Sequence, residues 1–157
     1  MEETASLIIR KAEAGDTAAI HRVFVTAIRG IGSQFYTDEQ KKAWEEAVTP
    51  DSWSTRIIEI QFYVGCLADE VVAFVSWYGS ELVHIYVAEH AENRGIGTKL
   101  LVFALENMKH AGVTLTASLN AAEFYKAHGF VEKEMLAKER GGVPIPCIRM
   151  KRPLVYH

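Results

Sequence analysis

Glu92-Asn93-Arg94-Gly95-Ile96-Gly97-Thr98 is the stretch that decides how this chain is read. It follows a run of strand formers, Leu82-Val83-His84-Ile85-Tyr86-Val87, and opens the clearest helical pattern in the sequence, Gly97 to Ala111. Leu100, Leu101, Ala104, Met108 and Ala111 make the apolar stripe of that helix, and Gly112 stops it. A helix N-terminus exposes unpaired N–H groups and partial positive charge. Glycines let the backbone come close to an anion with no side chain in the way. Strand, glycine turn and helix in this order therefore suit a diphosphate. Other readings stay open on the turn alone. A dinucleotide turn would carry a third glycine where Leu100 stands. A P-loop would need Gly-Lys-Ser/Thr where the chain has Gly97-Thr98-Lys99. A plain tight turn without a ligand is the third.

Upstream, Gln61 to Ala68, Val71 to Tyr78 and Glu81 to Val87 read as three strands. Turns at Asp69-Glu70 and Gly79-Ser80 make them an antiparallel meander. Leu7 to Lys11 reads as a first strand, broken by Gly15-Asp16. Asp16 is placed to cap a helix that buries Ala19, Ile20, Val23, Phe24 and Ala27, closed by Gly30 and Gly32. Thr37-Asp38-Glu39-Gln40 has capping-box spacing and predicts a second helix holding Ala43, Trp44 and Ala47. A further short helix fits Pro50 to Ile58, starting near Asp51 or Ser52. Downstream come a strand, Thr114 to Ser118, and a short helix, Ala121 to His128, stopped by Gly129. Phe130 to Lys138 and Val143 to Lys151 form a final hairpin across Gly141-Gly142. The expected fold class is α/β (α+β), one domain over residues 1–157, in the order β-α-α-β-β-β-α-β-α-β-β. Its seven strands should form a mixed, mostly antiparallel sheet flanked by helices.

The composition, 49% apolar and 24% charged over 157 residues, is that of one ordinary globular domain. A net charge of −3 and a pI near 6.1 argue against a nucleic-acid partner and leave room for an amine. Cys66 and Cys147 lie in apolar, strand-like runs and read as buried thiols of a reducing compartment. Neither they nor His21, His90, His110, His128 and His157 show metal-ligand spacing, so no metal is expected. Met1 to Ser6 is acidic and polar, unlike a secretory signal. No apolar run reaches the ~18 residues of a membrane span. A cytoplasmic protein with no membrane partner is expected.

Two segments together carry a resemblance. Leu82 to Val87 followed by Arg94-Gly95-Ile96-Gly97-Thr98-Lys99-Leu100-Leu101 is one. The other is Ala117-Ser118-Leu119-Asn120-Ala121-Ala122-Glu123-Phe124-Tyr125-Lys126-Ala127-His128-Gly129-Phe130, with its Phe-Tyr-x-x-x-Gly-Phe ending. In this order and element context the chain resembles the GNAT superfamily of N-acetyltransferases over nearly its whole length. Tyr36-Thr37-Asp38-Glu39-Gln40-Lys41-Lys42-Ala43-Trp44 further resembles a bacterial subgroup with Tyr-Thr-x-x-Gln-x-x-x-Trp in its second helix. One position departs: the family motif begins with Gln or Arg where this chain has Glu92. An acid beside a diphosphate is unfavourable unless it points away, so Glu92 is expected to face solvent.

The resemblance implies acetyl-CoA as co-substrate. It implies that Asn93, Arg94, Gly95, Ile96, Gly97 and Thr98 hold the diphosphate. Backbone N–H groups near Ile85, Tyr86 and Val87 would hold the pantetheine and act as an oxyanion hole for the thioester carbonyl. Ser118 stands where many relatives carry an asparagine that bonds pantetheine, and Asn120 could share that work. Tyr125 corresponds to the family's helix tyrosine, the general acid for the leaving thiolate. Glu81 matches the spacing of a glutamate base in some members. His84 is the second candidate base, since imidazole titrates in the right range. On a regular strand, a residue three positions along faces the opposite side, so at most one of Glu81 and His84 should point into a cleft. A bound water could replace both. Ser76, Trp77, Phe35, Tyr36 and Trp44 are candidate walls of an acceptor pocket.

The function expected is acetyl transfer from acetyl-CoA to a primary amine. The alternative is a non-catalytic acyl-CoA sensor or scaffold, favoured by Glu92; a plain α/β interaction domain is the third reading. The acceptor, a small molecule or peptide, is not legible, and the sequence admits a homodimer without requiring one.

Overall fold

The computed structural model describes residues 6–108 and 112–153. Strand β1 (Ile8–Lys11) leads into three helices, α1 (Thr17–Arg29), α2 (Asp38–Glu46) and α3 (Ser52–Glu59). The meander β2 (Gln61–Leu67), β3 (Glu70–Tyr78) and β4 (Glu81–Val87) follows. Helix α4 (Ile96–Met108), strand β5 (Val113–Ser118), helix α5 (Ala122–Ala127) and the hairpin β6 (Val131–Arg140) with β7 (Val143–Arg152) complete the chain. The sheet order is β1-β2-β3-β4-β5-β7-β6, antiparallel except between β4 and β5. The mixed, mostly antiparallel seven-stranded sheet is thus the expected one. The 50–58 segment forms a full third helix, which the expected element order lacked. Residues 109–111, the expected end of the long helix, lie outside the described residues, as do His110 and His157.

Local chemistry sets the boundaries. Thr37 accepts from the Gln40 N–H at 3.1 Å and Gln40 Oε1 accepts from the Thr37 N–H at 2.9 Å, the capping box read from sequence. Asp16 behaves differently from expectation. Its carboxylate turns away from α1 to take two 2.8 Å bonds from Arg10 and one from the Glu13 N–H. The Arg10 hydrogen bonds hold its pKa below the ordinary value, because ionised acceptors make the stronger bonds. The first hairpin turns at Ala68-Asp69 rather than at Asp69-Glu70, with both φ values positive (47° and 68°). Gly141 and Gly142 make the last turn with φ of 54° and 79°, the double left-handed geometry that glycine adopts without strain.

Two cores sit on opposite faces of the sheet. On one, α1 and α3 cover Phe62, Val64 and Phe74 with Ile20, Phe24, Ile28 and Trp53. On the other, α4 and α5 cover Ala73, Val75 and Leu82 with Leu100, Leu101, Ala104 and Tyr125. Trp53 is fully buried, edge-on to Phe24, Phe62 and Phe74. Burying such a side chain contributes about 2–3 kcal/mol, which fixes short α3 against the sheet. Cys66 and Cys147 are both free and buried, as expected. Among the described residues no helix is long and apolar enough to cross a membrane.

Candidate active site

β4 and β5 pair only at Glu81 with Thr114 and Leu82 with Leu115, then diverge. From there to Val87, the edge of β4 turned away from β3 has no strand partner among the described residues, and neither has the facing edge of Thr116 to Ser118. Unpaired strand edges need hydrogen-bonding partners. The gap opens into a cleft of about 440 Å³ lined by Glu81 to Tyr86, Thr116 to Ser118, Tyr125 and the start of β7.

Beyond the end of β5, β7 reaches over this cleft, and its prolines suit the place. Pro144 and Pro146 offer carbonyls with no N–H beside them. Gln40 Nε2 donates to the Pro144 carbonyl at 3.2 Å, and Tyr36 Oη donates to the Pro146 carbonyl at 2.6 Å. Tyr36 Oη also accepts from the Leu119 N–H at 2.9 Å, so one buried hydroxyl joins the α1–α2 loop to both rims. Trp44 stands edge-on to Tyr36 at 5.5 Å. Tyr36 and Trp44 line the cleft, whereas the other three expected walls do not. Phe35 is exposed, and Trp77 faces the other core, stacked on Tyr63 at 5.3 Å. Ser76 is fully buried beneath the cleft.

A β-bulge overturns the expected alternation along β4. Ser76 pairs with His84 but Trp77 pairs with Leu82, leaving Val83 unmatched. The extra residue resets which side chains share a face. Glu81 and His84 therefore fall on one face of β4, and both are among the residues that line the cleft. Ser76 Oγ lies 2.7 Å from His84 Nδ1. Burial, with Arg56 and Lys138 nearby, pushes the His84 pKa down to about 3. Tyr125 is 7% exposed, and burial, then the neighbouring Tyr86, holds its hydroxyl well above the ordinary tyrosine value. Among the described residues Tyr125 Oη has no hydrogen-bond partner, yet it is no orphaned buried atom, so it opens to the cleft.

The turn Glu92 to Gly95 leads directly into α4. Asn93 and Gly95 take left-handed φ values of 64° and 75°, and a Cβ on Gly95 would meet nothing within 4 Å. Arg94 and Thr98 are exposed, Ile96 is buried, and Glu92 is exposed, as anticipated. Partial burial and then Glu89 raise the Glu92 pKa. Ser118 lines the cleft, whereas Asn120 is exposed and takes no part in it.

Sequence reasoning missed Arg56, Lys138, Arg140 and the Tyr86 side chain, all of which line the cleft. A signal existed for each cation. Arg56 lies between buried Trp53 and Ile57 on a short helix, an arginine on the apolar side. Lys138 and Arg140 share a strand face with half-buried Leu136. Tyr86 packs edge-on to Phe24 at 5.3 Å.

Residues 33–153 match the family model described as the acetyltransferase (GNAT) domain. The chain is 25% identical over 122 residues to the uncharacterized N-acetyltransferase YafP of Escherichia coli K12, covering 78% of this chain and 79% of that protein. It is similar to the crystal structure of a GCN5-related N-acetyltransferase from Rhodopseudomonas palustris, with a TM-score of 0.91, 24% identity and 98% and 99% of the two chains covered. The PaiA N-acetyltransferase of Thermoplasma acidophilum, solved in complex with coenzyme A, shares the fold at a TM-score of 0.77 with 19% identity over 94% of this chain and 99% of that one.

Proposed function

Because the chain belongs to the GNAT acetyltransferase family, we propose that it transfers the acetyl group of acetyl-CoA directly to a primary amine. The divergence of β4 from β5, with the Tyr125 hydroxyl opening between them, is the observation that carries this reading. An extended pantetheine arm needs backbone partners along its length, and the unpaired edge at Ile85, Tyr86 and Val87 offers them, with the Ser118 hydroxyl opposite. A diphosphate needs N–H donors and room, and the Asn93–Thr98 turn supplies a helix start with open space at Gly95. The coenzyme A held by the PaiA relative supports the same occupant here.

In the transfer the amine nitrogen attacks the thioester carbonyl carbon; the C–N bond forms, the C–S bond breaks and the thiolate leaves. Backbone N–H groups of β4 take the charge that develops on the carbonyl oxygen. Tyr125, kept protonated by burial, gives its proton to the thiolate, and the nitrogen, cationic after attack, sheds a proton that returns through water to the phenolate. An alkylamine arrives as ammonium, with a pKa of about 10.4. Arg56 and Lys138, which disfavour a charged His84, disfavour an ammonium in the same cleft. The proton passes to Glu81, directly or through water. His84, with a pKa of about 3, is a weak base and serves instead to orient the acceptor.

The test is thiol release from acetyl-CoA over a panel of amines, with the N-acetyl product identified by mass and acetyl-CoA binding measured by calorimetry. Release with product formation is expected. Binding without release on any amine would favour the sensor or scaffold reading, to which Glu92 points. No coenzyme binding would overturn both.

A further inference from the structure

We infer that the acceptor amine also carries a carboxylate, which Arg56, Lys138 and Arg140 grip at the end of the cleft away from the coenzyme. This inference rests on the acetyl-transfer reading and narrows its substrate class. The chain is acidic overall, at −3, yet three of the four side chains with a formal charge that line the cleft are cations, Glu81 being the fourth. Among the described residues, no carboxylate forms an ion pair with any of these three cations, although Glu81 lines the same cleft. Among the described residues the Arg140 guanidinium donates only to the neighbouring Glu139 carbonyl, at 3.2 Å. Arg56 is half-buried with its guanidinium 4.8 Å from the centre of the fully buried Trp53 ring, a stacked and restrained position. Burial lowers its pKa first, and repulsion by Arg140 lowers it further. Like charges gathered in a partly desolvated cleft are unfavourable until an anion joins them.

Placement argues against the coenzyme's own phosphates as that anion. Arg56 comes from α3 on one face of the sheet, and the Asn93–Thr98 turn opens α4 on the other. Two planar guanidinium groups match a carboxylate, which accepts parallel N–H bonds from such a fork. A cleft of about 440 Å³ suits a small molecule, and Tyr36, Trp44 and Tyr86 give its side chain an apolar, aromatic wall. The amine then lies toward Glu81 and His84, and the carboxylate toward Arg56 and Arg140.

The experiment compares acceptors in matched pairs, each an amino acid and its carboxamide, by thiol release with saturating acetyl-CoA. Binding of the same pairs to the protein–coenzyme A complex is followed by tryptophan fluorescence. Charge-assisted bonds of this kind carry about 1.5–3 kcal/mol, so the carboxylate member should lead by roughly 10- to 100-fold in kcat/KM. Arg56→Gln and Arg140→Gln should each erase that lead through KM while leaving coenzyme affinity in place. Equal turnover within pairs, or neither turnover nor binding of any carboxylate member, overturns the inference. Failure of acetyl-CoA binding itself is read separately by calorimetry and counts against the acetyl-transfer reading. If one variant fails to fold, the other carries the same comparison.

Discussion

The Ser76 hydroxyl lies 2.7 Å from His84 Nδ1 on the strand beside it, which commits one ring nitrogen to the core and leaves Nε2 for the cleft. Burial, with Arg56 and Lys138, depresses the imidazole pKa from 6.5 to about 3. The unfolded chain therefore binds more protons than the folded one between those values. Stability contributed by neutral His84 is full above pH 6.5 and is lost as the pH falls toward 3. The expected slope approaches 1.4 kcal/mol per pH unit, an order-of-magnitude figure of about one pKa unit's worth. Urea denaturation of wild type and His84→Gln across this acid range checks it: the variant's curve should be flatter. Half-buried His21, depressed by burial, and Asp16, held down by Arg10, add slope of the same sign, while Glu92, raised by burial, opposes it. Equal slopes in the two proteins would refute the assignment.

Tyr125→Phe should lower kcat by about 10²- to 10⁴-fold, the usual contribution of a positioned acid. The Km for acetyl-CoA and the melting temperature should barely move, because among the described residues the hydroxyl has no hydrogen-bond partner to lose. Thiol-release kinetics and a thermal melt decide this. A fully active, folded variant would leave the thiolate to depart unprotonated, which its pKa of about 8.5 allows.

The fold was legible because its signals are local. A capping box at Thr37, a glycine pair at Gly141 and the unbroken run of β-formers along β3 each act within a few residues. The site was only half legible, because its geometry comes from departures and from distance. Nothing in Glu81 to Val87 marks Val83 as the extra residue; the bulge appears only in the register with β3. Arg56 stands far in sequence from Lys138 and Arg140, and they are brought together by a chain that returns over the cleft after β5. Tyr36 was placed as an aromatic wall, but its bonds to Leu119 and Pro146 span 83 and 110 residues of chain.

Tyr36→Phe isolates that clasp. The ring and its contact with Trp44 persist, while the Leu119 N–H and the Pro146 carbonyl lose their partner. Leaving such part-buried groups unsatisfied costs about 1–3 kcal/mol each at most. A loss of roughly 1–3 kcal/mol in urea denaturation is expected, with cooperativity retained. A loss under a few tenths of a kcal/mol would mean that water replaces the hydroxyl at no cost.

Glu92→Gln tests the one position where the turn departs from the resembled motif. Glu92 begins the turn beside Glu89, and both partial burial and that neighbour raise its pKa, so its negative charge is disfavoured in place. Bringing a diphosphate to the N–H groups that follow adds a further like charge. Removing one unit charge at such range in a well-solvated site is worth about 1 kcal/mol. The amide should therefore tighten coenzyme A binding by roughly fivefold at low salt, with the gain shrinking as salt screens the charges. Calorimetry at two ionic strengths measures both. A variant that binds coenzyme A no better than wild type at low salt would show that the Glu92 side chain already points clear of the diphosphate, leaving the Asn93–Thr98 backbone to set the affinity.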